Sequence, residues 1–270
     1  MNINKDTLLC MSLAARPGNF GTRFHNYLYQ QLNLNYIYKA FTTRDLPAAI
    51  GGIRALGIRG CAVSMPFKEA CIPYLDELDP SAKAINSVNT IVNTEGYLKA
   101  YNTDYIAIAR LIEQHRIGKQ TAFALRGSGG MAKAVAAAFH DAGFANGTII
   151  ARNRETGQRL ASLYGYSWQE DESGLQVPLL INVTPLGMAG GAGADRLSFS
   201  ERHITAADIV FDVVALPAQT PLINFALGQH KRVITGAEVI AIQALEQFVL
   251  YTGVRPDDEL VQRAAAHARG

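Results

Sequence analysis

Short apolar runs alternate with helical periods along the first hundred residues. Thr7-Leu8-Leu9-Cys10-Met11 predicts a strand, Phe24 to Leu32 carries apolar residues at helical spacing, and Tyr36-Ile37-Tyr38-Lys39-Ala40 predicts a second strand. A helix over Leu46 to Leu56, a strand over Gly60-Cys61-Ala62-Val63-Ser64 and a helix over Lys68 to Leu75 follow. Val88 to Val92 and Tyr97 to Tyr101 are two further extended runs, and Asn93-Thr94-Glu95-Gly96 between them supplies the Asn and Gly of a hairpin turn. This pattern describes an α/β layer in its own right.

Tyr105 to His115 is helical by period and carries the chain into a second region of alternating elements. Phe123 to Arg126, Thr148-Ile149-Ile150-Ala151, Leu179 to Val183, Ile209 to Val214 and Val233-Ile234-Thr235 read as its strands. The closing pattern, with Ile240, Leu245, Phe248 and Val249 on one side and Leu260 later, is amphipathic helix. The expected fold is α/β with two α/β domains, residues 1–104 completed by a C-terminal helix that returns over 238–270, and residues 105–237, with a cleft between them. The small-residue stretch Gly187 to Ala194 reads as a mobile loop and candidate lid.

The second region holds the most informative segment. An apolar run enters Gly127-Ser128-Gly129-Gly130-Met131-Ala132 and continues into an alanine-rich helical pattern. Gly127 permits a sharp turn, Gly129 has no side chain to hold a pyrophosphate off the backbone, and Ala132 permits close packing of helix on strand. The free N–H groups of this turn and the positive end of the helix would face phosphates. The next strand completes a βαβ unit, so a dinucleotide is the expected ligand. A cofactor without a 2′-phosphate is usually held by an acid roughly 20 residues past the fingerprint. Here the strand runs into Arg152-Asn153-Arg154, and two guanidinium groups with an amide between them suit a phosphate dianion. NADP is therefore expected; the residues alone leave solvated surface charge as the alternative for both arginines.

Composition narrows the classes. At 270 residues, 49% hydrophobic and 18% charged, the chain suits two modest globular domains, and no run of about 18 apolar residues exists to span a bilayer. The opening Met1 to Asp6 is polar, so a cytoplasmic location is expected. Twenty-five basic residues against 23 acids leave a net charge of +2, which offers no field for nucleic acid. Cys10, Cys61 and Cys71 lack metal-type spacing and lie in apolar surroundings, so buried reduced thiols are expected and no metal site. A small-molecule substrate and a monomer or homodimer complete the expectation.

A nicotinamide enzyme reducing a ketone needs a proton donor for the developing alkoxide, and a Lys held by a carboxylate can serve. Lys68 follows Met65-Pro66-Phe67, where the proline sets a turn just beyond the strand ending at Ser64. Asp104 ends Tyr101-Asn102-Thr103-Asp104 at a helix start, where an N-cap role is the plainer reading.

These segments resemble the shikimate dehydrogenase family, in a divergent shikimate dehydrogenase-like branch, over nearly the whole chain. The family's Pro-x-Lys appears as Ser64-Met65-Pro66-Phe67-Lys68, its V-N-T as Val88-Asn89-Thr90 and its N-T-D as Asn102-Thr103-Asp104. Its nucleotide turn is Gly127 to Ala132, its N-x-T-x-x-G-M is Asn182 to Met188, including Thr184, and its D-x-V-x-x-P-x-x-T-P is Asp212 to Pro221. The resemblance implies an N-terminal substrate domain plus a Rossmann-type NADP domain, interconverting 3-dehydroshikimate and shikimate or a related cyclic hydroxy acid in aromatic amino acid and chorismate biosynthesis. It implies Lys68 and Asp104 as the catalytic pair, Ser12, Ser64, Asn89 and Gln243 toward substrate, and Gly127, Ser128, Gly129, Gly130, Met131, Ala132, Arg152, Asn153, Arg154 and Thr184 toward cofactor.

The chain also departs from the family. The carboxylate clamp, a Ser-x-Ser after the first strand, keeps one hydroxyl in Ser12-Leu13-Ala14, and Arg16 and Arg23 in the following loop are either substitutes or surface charges. Ala62 replaces an Asn, Ala215 a Tyr, and Glu238 stands where the family prefers Gly. Glu238 either approaches the reacting groups or points to solvent at a helix start. Quinate or another cyclitol acid suits the altered clamp; a folate-type methylene dehydrogenase and an NADP-binding regulatory module with little turnover are the competing readings.

Overall fold

The alternating runs form two separate six-stranded sheets in the computed structural model, which describes residues 3–269. The chain divides into two units, one of residues up to Ile106 together with those from Ala241 onward, the other Ala107–Ile240. Both divisions fall inside helices, a few residues past the positions expected from the pattern.

The first unit contains β1 (Leu8–Leu13), α1 (Phe20–Gln31), β2 (Tyr36–Phe41), α2 (Leu46–Ala55), β3 (Gly60–Val63), α3 (Phe67–Ala70), β4 (Glu77–Leu78), α4 (Pro80–Lys83), β5 (Thr90–Thr94) and β6 (Tyr97–Tyr101). The start of α5 (Thr103–Gln114) also belongs to it. The sheet order is β2-β1-β3-β5-β6-β4, with β1 parallel to both β2 and β3. Successive strand residues point to opposite faces. Cys10 therefore joins Phe24, Leu28, Tyr38 and Phe248 on one side, while Met11 and Leu13 join Ile50, Ile53 and Val63 on the other. A sheet apolar on both faces must be covered on both, and the C-terminal helices supply what α1 cannot cover alone.

The second unit contains β7 (Phe123–Arg126), α6 (Gly130–Asp141), β8 (Gly147–Ile150), α7 (Arg154–Tyr164), β9 (Ser167–Gln169), β10 (Leu179–Asn182), α8 (Glu201–Ala206), β11 (Ile209–Asp212), α9 (Pro221–Gly228) and β12 (Arg232–Thr235). All neighbours in the order β12-β11-β10-β7-β8-β9 are parallel. Strand order reverses between β7 and β10, the doubly wound Rossmann arrangement with its switch point at that pair. The last helices are α10 (Gly236–Thr252) and α11 (Asp258–Arg269), the latter packed with α1 in the first unit.

Several elements differ from the pattern's expectation for identifiable reasons. The single helix expected over Lys68 to Leu75 is α3 followed by a 3₁₀ turn over Ile72–Tyr74, because Pro73 has no N–H to continue the α ladder. Val88 is not in the hairpin strand; its N–H bonds the Lys68 carbonyl at 2.8 Å. Helices α7 and α9, for which the periodicity made no case, are marked by side-chain caps: Asn153 accepts from Thr156 N, and Thr220 accepts from Ile223 N just before Pro221. The segment from Gly187 to Ala194 is knitted by successive turns, with Gly187 N bonded to Gly193 O at 2.8 Å and Ala189 N to Leu216 O at 3.0 Å. The three cysteines are buried and free. Burial pushes the Cys10 and Cys71 thiols up to about 12, partly offset at Cys10 by Tyr29 and at Cys71 by its own backbone. Among the described residues, no helix is long and apolar enough to cross a membrane.

His25 is fully buried on α1, its ring stacked nearly parallel on that of Tyr38 with centroids 4.4 Å apart. Neither ring nitrogen has a hydrogen-bond partner in direct contact. Burial pushes its pKa down to about 3, against a smaller opposing influence of the Gln247 amide.

A group whose folded pKa lies below its unfolded value stabilises fully above the unfolded pKa, near 6.5, and loses that contribution as pH falls toward the folded one. Stability should therefore fall by about 2 kcal/mol between pH 7.5 and 5 from this residue alone. Urea melts of wild type and His25→Gln check this, the variant showing the shallower dependence. The glycines give a second test. A Cβ at Gly147 would lie 2.5 Å from Phe123 and 2.6 Å from Tyr166, whereas one at Gly51 in α2 meets nothing within 4 Å. Gly147→Ala should cost about 1–3 kcal/mol and Gly51→Ala should stabilise by about 0.5–1 kcal/mol, read from denaturant midpoints.

Candidate functional site

The carboxyl ends of β1 and β3, where strand order reverses in the first sheet, are where an open α/β sheet offers a binding crevice. Ser12 lies near the end of β1, half-buried, and its hydroxyl contacts that of Tyr38. Burial raises the Tyr38 pKa and this contact offsets it in part. Ser64, exposed just after β3, is held by Ser64 N to Leu13 O at 2.9 Å. Arg16 and Arg23 are exposed.

Lys68 sits in the first turn of α3, and its Nζ donates to Asp104 Oδ2 at 2.6 Å. Both side chains are mostly withdrawn from water, 27% and 12% exposed, which leaves the ammonium reachable by a ligand. Asp104 is not the cap of its helix. Asn102 is, its Oδ1 accepting from Tyr105 N at 3.0 Å, so the carboxylate is left for Lys68.

Asn89 is the node beside them. Its Oδ1 accepts from Thr103 N at 2.8 Å, Thr90 Oγ1 at 2.8 Å and Thr103 Oγ1 at 3.1 Å. The amide's orientation is set by the Thr103 N–H, which can only donate. Its Nδ2 is buried with no partner, and a buried donor without a partner is costly unless something accepts from it. Gln247, which sequence reasoning missed, donates from Nε2 to Thr90 Oγ1 at 3.1 Å and Asn89 O at 3.3 Å. Gln243, expected toward substrate, is half-buried one turn earlier on α10.

In the second unit, the turn after β7 has the geometry its glycines imply. Gly127 has φ +128°, and a Cβ there would lie 2.7 Å from Val183 Cγ2. At Gly129 and Gly130 a Cβ would meet nothing within 4 Å, so that side of the turn is open. Gly129 starts α6 without a side-chain cap, leaving first-turn amides free to donate. Ser128 Oγ is 2.7 Å from Thr156 Oγ1, Met131 is half-buried, and Ala132 is fully buried where helix meets strand.

A cavity of about 940 Å³ opens over this turn, lined by Gly127, Ser128, Arg152, Asn153, Thr184 and Arg196 among others. That is the size of a cofactor pocket. The open glycines, uncapped helix start and arginines together fit a phosphate-bearing dinucleotide. Arg152 is exposed on the wall, while Asn153 spends its Oδ1 as the cap of α7 and Arg154 lies over the Trp168 ring at 5.7 Å.

The loops around the cavity share one buried network. Thr184 N and Oγ1 donate to Asn182 Oδ1 at 3.0 and 2.7 Å, and Asn182 Nδ2 donates to Asp212 Oδ1 at 2.9 Å. Asp212 also accepts from Val214 N and from Thr220 Oγ1. Burial raises its pKa, and those donors restrain the rise. The N-x-T and D-x-V-x-x-P-x-x-T-P segments are thus two halves of one loop-bracing structure. Glu238 follows neither reading offered for it: Oε2 accepts from Thr235 N and Oγ1, both at 2.7 Å, and Oε1 is 3.0 Å from His115 Nε2. Thr235-Gly236-Ala237-Glu238 is a capping box, a signal present in the sequence.

Residues 20–91 match the family described as shikimate dehydrogenase substrate binding domain. The chain is 59% identical over 267 residues to a shikimate dehydrogenase-like protein of Haemophilus influenzae, covering 99% of this chain and 98% of that one. It is 34% identical over 249 residues to the shikimate dehydrogenase (NADP(+)) of Pyrococcus abyssi, covering 91% and 92%. Among solved structures, a shikimate 5-dehydrogenase-like protein superposes with TM-score 0.98 at 59% identity over all of both chains. The Thermus thermophilus shikimate 5-dehydrogenase in complex with NADP(H) and shikimate does so with TM-score 0.86 at 26% identity, over 97% and 99%. By this extent of identity along its whole length, the chain belongs to the shikimate dehydrogenase family, in its shikimate dehydrogenase-like branch.

Proposed function

We propose that the protein is an NADP-dependent dehydrogenase that interconverts a ketone and an alcohol on shikimate or a closely related cyclic hydroxy acid. The observation that carries this reading is the 2.6 Å contact of Lys68 with Asp104 beside an unsatisfied Asn89 donor. Gly127, Ser128 and Arg152 would hold NADP, whose nicotinamide would supply or accept the hydride. Lys68 handles the matching proton, giving it to the forming alkoxide in reduction and taking it up in oxidation; its ammonium stabilises an alkoxide more than a neutral ketone, which is the differential binding that acceleration requires. Asp104 orients the ammonium through the 2.6 Å contact. Asn89 Nδ2, with Oδ1 fully taken, offers a donor to a ring hydroxyl, which is then free to donate onward to Asp104.

The departures at Ala14, Ala62 and Ala215 remove polar groups from positions where the family reads oxygen atoms. Each lost partner in such a site costs on the order of 1–3 kcal/mol. They support a cyclic acid other than shikimate as the preferred substrate.

Initial rates of NADP reduction with saturating shikimate, quinate and other cyclic hydroxy acids test the proposal. The expected result is turnover on at least one of them, falling on the order of 10²–10⁴-fold in Lys68→Ala while NADP affinity stays within about twofold. Equal losses in turnover and NADP affinity would overturn the role given to Lys68. NADP binding without turnover on any cyclic acid would favour a regulatory module instead.

A further inference from the structure

A 2′-phosphate is a dianion near neutral pH and is best held by two unneutralised guanidinium groups. The pair Arg152 and Arg154 suggested by the sequence does not line one cavity. Arg154 is absent from the cavity wall and stands over the face of Trp168, 5.7 Å from the ring centroid. Arg126 does line the cavity, but its guanidinium bonds the Glu172 carboxylate and lies 4.9 Å from the Phe199 ring, so its charge is already matched. Glu170, exposed just past β9, brings a carboxylate to the same wall and opposes a dianion there. Two cations remain, Arg152 after β8 and Arg196 beyond β10, and the described residues give neither an acidic partner.

The loop that carries Arg196 is built to bring it to the wall. Arg196 N bonds Gly193 O at 3.1 Å, and the same carbonyl accepts from Gly187 N at 2.8 Å. A Cβ at Gly193 would lie 2.7 Å from Leu186 Cδ2, so the absence of one lets the loop fold back against a residue that itself lines the cavity. We infer that Arg196 is the second guanidinium of the cofactor's 2′-phosphate site, closing with Arg152 on the phosphate from two different loops and setting the preference for NADP over NAD against Glu170. The inference rests on the NADP reading above and deepens it.

Calorimetric dissociation constants for NADP, NAD and adenosine 2′,5′-bisphosphate on wild type, Arg196→Ala, Arg154→Ala and Glu170→Gln decide it without any turnover. Arg196→Ala should weaken NADP and the bisphosphate at least tenfold while leaving NAD within twofold. Arg154→Ala should leave all three within threefold, and Glu170→Gln should tighten NADP relative to NAD. Unchanged NADP affinity in Arg196→Ala, or a loss in Arg154→Ala as large as the one in Arg196→Ala, would overturn the inference while leaving NADP as the cofactor. Wild-type protein that binds NAD as tightly as NADP would overturn the cofactor reading and the inference with it.

Discussion

Everything proposed for the first unit depends on bringing an ammonium to within 2.6 Å of a carboxylate 36 residues away in the chain. Neither side chain achieves this alone. Lys68 is presented by a four-residue helix too short to be stable by itself, held by Val88 N on the Lys68 carbonyl. Asp104 is presented by a helix start whose Thr103 N–H is bound by Asn89 and whose cap is Asn102. Helix α3, through the Lys68 carbonyl, and the start of α5, through Thr103 N, are tied to the neighbouring positions 88 and 89, so the two charged groups meet because the two residues just before β5 hold both helices.

Polar satisfaction explains why this region is specific. Asn89 Oδ1 receives three donors and Gln247 braces the adjoining backbone and hydroxyl, which leaves the Asn89 amide Nδ2 as the buried donor of this cluster without a partner. A buried network of this kind rigidifies when complete and is costly when incomplete. A ligand hydroxyl accepting from Asn89 Nδ2 would complete it.

The second unit works by a different constraint. Parallel strands point all their carboxyl ends the same way, and reversal of order at β7 and β10 opens a gap between the loops that follow them. The glycine turn leaves one side of that gap free of side chains, and the Asn182, Asp212, Thr184 and Thr220 network holds the other. Arginines are then distributed around the rim by loop paths, and which of them face inward is a matter of neighbours such as Trp168 and Glu172 rather than of position in the sequence.

The sequence by itself determined the alternation of strands and helices, the strand–glycine–helix turn and the two α/β units, because these rest on local periodicity and backbone freedom, while Asp104 and Asn89 became candidates only through the resemblance of their motifs to the family. Local signals were also present and overlooked, as in the Thr235–Glu238 capping box and the Asn153 and Thr220 caps. Only the tertiary structure decided that Asn102 and not Asp104 caps α5, that Gln247 braces the Asn89 cluster, and that Arg154 turns to Trp168 while Arg196 turns to the cavity. A side chain's partner is set by competition among groups brought together from distant parts of the chain, and no short window of sequence contains the competitors.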